Sequence, residues 1–186
     1  EVVKSPISSI YGGGAFSGVI NIITKTPEQL GGTMLSLTAG TGNQLIASIL
    51  HGGTGAGERL HYKISAEVDR TDEWNANPSA NGGDIYRANG LVEYLLGDSK
   101  KISLAAGTAY TDNSRYMSGE FFGLVYLKSL NSYIKADARL KGFGFYFYYK
   151  DTDSRNSWPT GSDPQDWRIR LLDTEIIYNT KIDKHK

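Results

Sequence analysis

The chain has 186 residues, 39% of them hydrophobic and 22% charged, and its twenty Lys and Arg are cancelled by twenty Asp and Glu. Zero net charge lacks the basic excess that a nucleic-acid partner calls for, and zero cysteines exclude a disulfide framework or a thiolate metal site. No run approaches the ~18 apolar residues of a membrane helix. A mean hydropathy of −0.37 reads as soluble for every class except the outer-membrane β-barrel, whose strands cross with ~9–11 residues each and are apolar only at alternate positions.

Glu1–Lys4 reads as a short strand, and Ser5-Pro6 as a turn that starts one helical turn at Ile7–Tyr11, stopped by Gly12. Gly12–Gly14 permit positive φ and close backbone approach. Gly18–Thr24 is a mostly apolar strand with one amide, Asn21, at its centre, and a buried amide must find partners. Two nucleotide-binding readings of these glycines fail. A Walker loop begun at Gly13 meets Val19 where Lys is required, and a dinucleotide fingerprint begun at Gly12 meets Ser17 where Gly is required.

From there on, period-two patterns replace helical ones. In "RLHYKISAEVDR", Leu60, Tyr62, Ile64, Ala66 and Val68 share a face opposite Arg59, His61, Lys63, Ser65, Glu67 and Asp69. Tyr86, Ala88, Gly90, Val92, Tyr94 and Leu96 oppose Arg87, Asn89 and Glu93, while Ile134, Ala136, Ala138 and Leu140 oppose Lys135, Asp137 and Arg139. Phe143, Phe145, Phe147 and Tyr149 form one row. About eight strands are predicted, at 33–41, 44–53, 59–71, 84–96, 101–111, 126–140, 143–151 and 167–180, with a bulge near Leu171–Leu172. Short breaks at Gly52–Glu58, Leu96–Lys100 and Leu140–Gly144 alternate with long polar ones at Thr71–Asp84, Asp112–Gly119 and Asp151–Asp166; the first link, Gly40–Asn43, is short for its place. Short turns at one end and long loops at the other are the habit of a transmembrane barrel. A soluble β-sandwich shares the alternation, but it has no reason to sort its loops by parity or to expose an aromatic row.

The opening pattern Glu-Val-Val-Lys, Ser-Pro, Ser9, Tyr11-Gly12, Ala15, Gly18-Val-Ile-Asn-Ile-Ile-Thr-Lys25 resembles the end of the plug domain of TonB-dependent outer-membrane receptors, with Ser5 where that family usually has Gly. Its motif positions here are Pro6, Tyr11, Gly12, Ala15, Gly18 and Asn21. The resemblance implies an all-β transmembrane antiparallel β-barrel, of which about eight strands lie here, preceded by the end of a small α+β plug. Residues 1–30 would be plug and 31–186 the first part of the barrel, in a piece of a longer protein. It also implies an outer membrane of the Gram-negative type and lipid around the barrel. The ligand would be a scarce chelate, a ferric siderophore or cobalamin, and the energy would come from TonB through a contact segment outside this chain. A passive porin-like barrel and a soluble β-rich binding domain are the alternatives. Eight strands alone would leave two open edges, and the chain alone is expected to aggregate.

On the barrel reading Lys63, Glu67, Asp69, Arg87, Glu93, Lys135, Asp137 and Arg139 face the lumen, as does His61. Trp74 and Trp158, in the long loops, and Arg155 are the candidates for ligand contact, whereas Trp167 at a strand start suits the membrane interface. "DTDSRN" at Asp151 fails as a calcium loop, with Asn156 at the glycine position and Ser162 at the final glutamate. No cofactor, metal site or nucleophile–base motif is implied, and enzyme activity is not expected.

Overall fold

The computed structural model describes residues 2–3, 19–20, 24–72, 82–97, 100–117, 123–157 and 165–179, the side chains of 2–3, 19–20, 113–117, 123–126 and 157 excepted. β1 (Val2–Val3) and β2 (Val19–Ile20) pair antiparallel, with Val2 opposite Ile20. A single 3₁₀ turn, Pro27–Gln29, leads into the main sheet. That sheet holds β3 (Gly32–Gly40), β4 (Gln44–Gly55), β5 (Leu60–Thr71), β6 (Gly83–Gly97), β7 (Lys100–Met117), β8 (Gly123–Leu140), β9 (Phe143–Ser157) and β10 (Gln165–Tyr178). Each strand pairs antiparallel with its sequence neighbour, in order from β3 to β10, so the fold is an all-β meander without crossovers. No helix among the described residues is long and apolar enough to cross a membrane.

Register sorts the side chains. Ile64 of β5 stands opposite Gly90, and the same rung continues through Ala106, Ile134, Tyr149 and Leu172. The next rung runs Tyr62, Val92, Leu104, Ala136, Phe147, Thr174. This outward face is apolar and uncovered: Leu35 and Leu37 are each 74% exposed and Ile176 64%. In water such a face would be a liability far larger than a monomer tolerates. Tyr94, Phe143 and Tyr178 stand at its short-turn end.

Toward the long connections the same face changes character along a line. Tyr86 and Tyr110 sit side by side, ring centroids 6.3 Å apart. Each points its hydroxyl away from the apolar band, donating to Asp84 at 2.9 Å and to Asp112 at 3.3 Å, and Tyr149 does the same toward Asp151. A cation on the neighbouring strand answers each of these acids: Arg70 for Asp84 (3.5 Å), Lys128 for Asp112 (2.9 Å), Arg168 for Asp151. The line is oblique to the rungs. On β6 the last band residue is Tyr86, whose rung ends on β10 at Arg168, yet on β10 the band ends at Leu172. Four residues over four strand spacings is about 13 Å against about 19 Å, a slope of about 35°. Barrel strands tilt by about that much from the membrane normal, which makes a line parallel to the membrane oblique to the rungs by the same angle.

All eight predicted strands are present, and two outrun their predicted ends by six residues. β7 continues to Met117 and β9 to Ser157, through segments expected as loop from their polarity. A backbone ladder needs only a paired neighbour, so strands wet on both faces persist beyond the apolar band. The bulge expected at Leu171–Leu172 is absent, because those residues pair in step with Lys150 and Tyr149. The described register shift lies at Leu95/Gly97 instead. Leu171 faces inward and Leu172 outward, so the doubled leucine places one apolar side chain on each face at that point of β10. Trp167 falls on the rung of Ser154, on the inward face, and not on the outward interface expected for it.

Candidate functional site

The inward face carries charge where the outward band is apolar. Lys63, Glu67, Asp69, Arg87, Glu93, Lys135, Asp137 and Arg139 all share it by register. Except for Asp69, they line one cavity of about 830 Å³ together with Lys101 and Tyr133. Opposite charges meet across strands: Arg87 with Glu67, and Lys101 Nζ with Glu93 at 2.7 Å. Lys135 Nζ lies 5.4 Å from the Tyr146 ring centre, and the Tyr133 and Tyr148 rings lie with centroids 6.3 Å apart and planes inclined by 30°. Tyr133 lies against Gly107, where a Cβ would come within 2.6 Å of its ring, and its hydroxyl donates to Asn89 at 3.2 Å. The tyrosine cluster escaped the sequence reading because the Phe143–Tyr149 row drew attention to one face of β9. The opposite face of that alternation, Tyr146 and Tyr148, was the available signal.

One segment of chain settles onto this wall. Pro27, at the first position of the 3₁₀ turn, is fully buried, and the turn is closed by Gln29 N–H to Thr26 O at 3.1 Å and Leu30 N–H to Pro27 O at 3.0 Å. The Thr26 N–H donates to the Gln29 side-chain oxygen at 3.0 Å, satisfying a donor that the turn leaves free. Lys63 reaches from β5 to donate to Thr24 Oγ1 at 3.2 Å and the Lys25 carbonyl at 2.7 Å. Leu30 lies against Gly52 of β4, where a Cβ would come within 2.8 Å of Leu30 Cβ and 2.9 Å of its carbonyl. Glycine at 52 is what permits that approach. His61, expected on the inward face, is there, but buried beneath the turn with Glu28 3.8 Å away.

No family model matches the chain. It is 31% identical over 117 residues to the vitamin B12 transporter BtuB of Vibrio cholerae, a match covering 61% of this chain and 19% of that protein. Similarity to BtuB of Vibrio vulnificus is 26% over 151 residues, covering 78% of this chain and 21% of that one. The ferric enterobactin receptor PirA of Pseudomonas aeruginosa is 29% identical over 119 residues, 63% of this chain and 15% of the receptor. The relatives named are transporters and a receptor. It spans about a fifth of the length of the curated relatives it matches.

The plug-motif residues Pro6, Tyr11, Gly12, Ala15, Gly18 and Asn21 and the loop tryptophans Trp74 and Trp158 lie outside the described residues. Arg155 is described. It stands on the outward face of β9, its guanidinium donating to both carboxylate oxygens of Asp166 at 2.7 and 2.9 Å. That pairing holds the Asp166 carboxyl below the ordinary range, the hydrogen bond from Arg155 being the first cause. Among the described residues, no three His, Asp or Glu gather as a metal site would need.

Proposed function

We propose that this chain belongs to a TonB-dependent outer-membrane receptor of a Gram-negative-type bacterium that imports a scarce chelate, a ferric siderophore or a cobalamin. In this reading residues 1–30 end the plug, residues 31–186 begin the lipid-facing barrel, and the segment that contacts TonB lies elsewhere in a longer protein. The carrying observation is the two-faced wall: an apolar outward band ending on an oblique line of tyrosines, and a charged inward face. The link at Thr24–Leu30, gripped by Lys63, favours a plugged barrel over an open porin, which has no use for such a seat. The partial likenesses to a vitamin B12 transporter and a ferric enterobactin receptor support the chelate. Trp74 and Trp158 are the proposed ligand contacts at the long-connection end. Arg155 would have to leave Asp166 to join them.

The test is uptake by cells expressing the full-length protein in a host lacking its own cobalamin and siderophore receptors. Labelled cyanocobalamin and a ferric catecholate are supplied, with TonB present or deleted. TonB-dependent accumulation of either is the expected result. Accumulation that survives loss of TonB would establish the passive reading, and recovery of the protein in the soluble fraction would end both.

A further inference from the structure

One rung of the wall holds both ends of the link. Gly52 of β4 and Lys63 of β5 stand opposite each other. Leu30 rests against Gly52, where a Cβ would come within 2.9 Å of the Leu30 carbonyl oxygen. Lys63 Nζ donates to Thr24 Oγ1 at 3.2 Å and to the Lys25 carbonyl at 2.7 Å. Neighbouring strands lie about 4.8 Å apart, so Thr24–Leu30 is a short loop pinned at both ends, with the buried Pro27 between the pins. The loop settles its own donors: Thr26 N–H on the Gln29 side chain, Gln29 N–H on Thr26 O and Leu30 N–H on Pro27 O, while Pro27 has none to settle. Lifting it would take two acceptors from a half-buried ammonium and bare Pro27 to water. The chain before it is held differently. β1 and β2, of two residues each, form a two-stranded sheet of their own.

We propose that Thr24–Leu30 is a fixed anchor: it opens and closes with the wall, and movement of the chain before it stops at Thr24. Lys63 is the positioning residue that sets this limit. A pull arriving along the chain from the N-terminal side meets the two Lys63 bonds before it reaches the turn or Leu30. It then passes into β5, which is paired with β4 from Leu60 to Arg70 and with β6 from Leu60 to Thr71. A strand laddered on both sides opens only with its neighbours, so it is among the last parts of a sheet to yield. The boundary between mobile and fixed chain therefore falls at Thr24, ahead of the first residue of the main sheet at Gly32. Only the expectation that the preceding segment moves in transport rests on the plugged-barrel reading.

Hydrogen exchange at the Gln29 and Leu30 amides, which close the turn, reads the anchor directly. The full-length protein in detergent micelles is taken through urea in steps below the point at which the strands open. Amides of residues 1–23 are expected to lose protection first, while Gln29 and Leu30 keep theirs until β5 opens. Lys63→Met keeps the stem and removes the ammonium. It should speed exchange at Gln29 and Leu30 by about tenfold, the size of a hydrogen bond from a charged group, and leave the β5 amides unchanged. Lys63→Arg, which can still donate to both acceptors, should restore most of the protection. Thr24→Val, which removes one acceptor and leaves the wall intact, should speed exchange by about threefold and stands as the test should Lys63→Met misfold. Gln29 and Leu30 opening together with residues 1–23 in the natural protein overturns the anchor, as does an unchanged rate in the folded variant. Neither ligand nor TonB enters the measurement, so a failure of uptake and a failure of the anchor are read separately.

Discussion

The outward faces of β6 to β10 are two surfaces on one set of strands. Between the short turns and the tyrosine line they carry Val92, Leu104, Ile134, Phe147 and Ile176; beyond it they carry Asp84, Asp112, Lys128, Asp153, Arg155 and Arg168. The backbone does not register the change: the ladder crosses the line without a break on every strand from β6 to β10. What differs is the chemistry of the side chains, which the proposed barrel reading explains by a change of medium. Strands of 15 to 18 residues in β6 to β9 exceed the ~9–11 needed to cross a bilayer, and on the proposed barrel reading the surplus would stand in water. On that reading secondary structure is a poor guide to where a membrane would begin and end. The tyrosine–aspartate–cation groupings are the better guide, because each needs an apolar side for the ring and a wet side for the charge.

The sharpest way to break the comparison is to place one charge on each side of the line. Ala106→Arg, on the rung of Gly90 and Ile134 in mid-band, is expected to cost about 2–4 kcal/mol of folded stability, and Ser132→Arg, beside Asp151, about 0–1 kcal/mol. Urea titration in phospholipid vesicles, read by gel mobility of folded against unfolded protein, measures both; equal losses would mean that the band is not in lipid. On the inward face the limit is space and not charge. Gly52→Val drives side-chain atoms into Leu30 and is expected to cost about 1–3 kcal/mol. It should appear as protease cleavage between residues 24 and 31 while the strands stay protected. The smallest effect belongs to the exposed pair beyond the line. The Asp166 carboxyl is lowered by Arg155, so its support is complete above the ordinary carboxylate range and fades as pH falls through the lowered value. Stability should hold from pH 7 to about 5 and then decline, with a shallower decline in Asp166→Asn. Solvent screening keeps that difference small.

Period-two alternation in Leu60–Val68 and Tyr86–Leu96 placed both faces of β5 and β6 correctly, because a strand's side chains have nowhere else to point. The eight inward charges were legible for the same reason. The ends of β7 and β9 were not: "TDNSRYM" and "DTDSRNS" read as loop, since polarity on both faces looks the same whether the backbone is paired or not. Nor was the link legible. Glu28, Gly52, His61 and Lys63 are up to 35 positions apart, and no local pattern says that a 3₁₀ turn will lie across two strands.

Composition and alternation by themselves determined the all-β class, the strand order of a simple meander and which side chains share a face, because these follow from neighbouring residues and a period of two. Only the tertiary structure decided where the apolar band stops, its slope of about 35° across the strands, and the seat that buries His61 beneath Glu28. Each depends on register between strands, a relation among residues that the chain brings together only when folded.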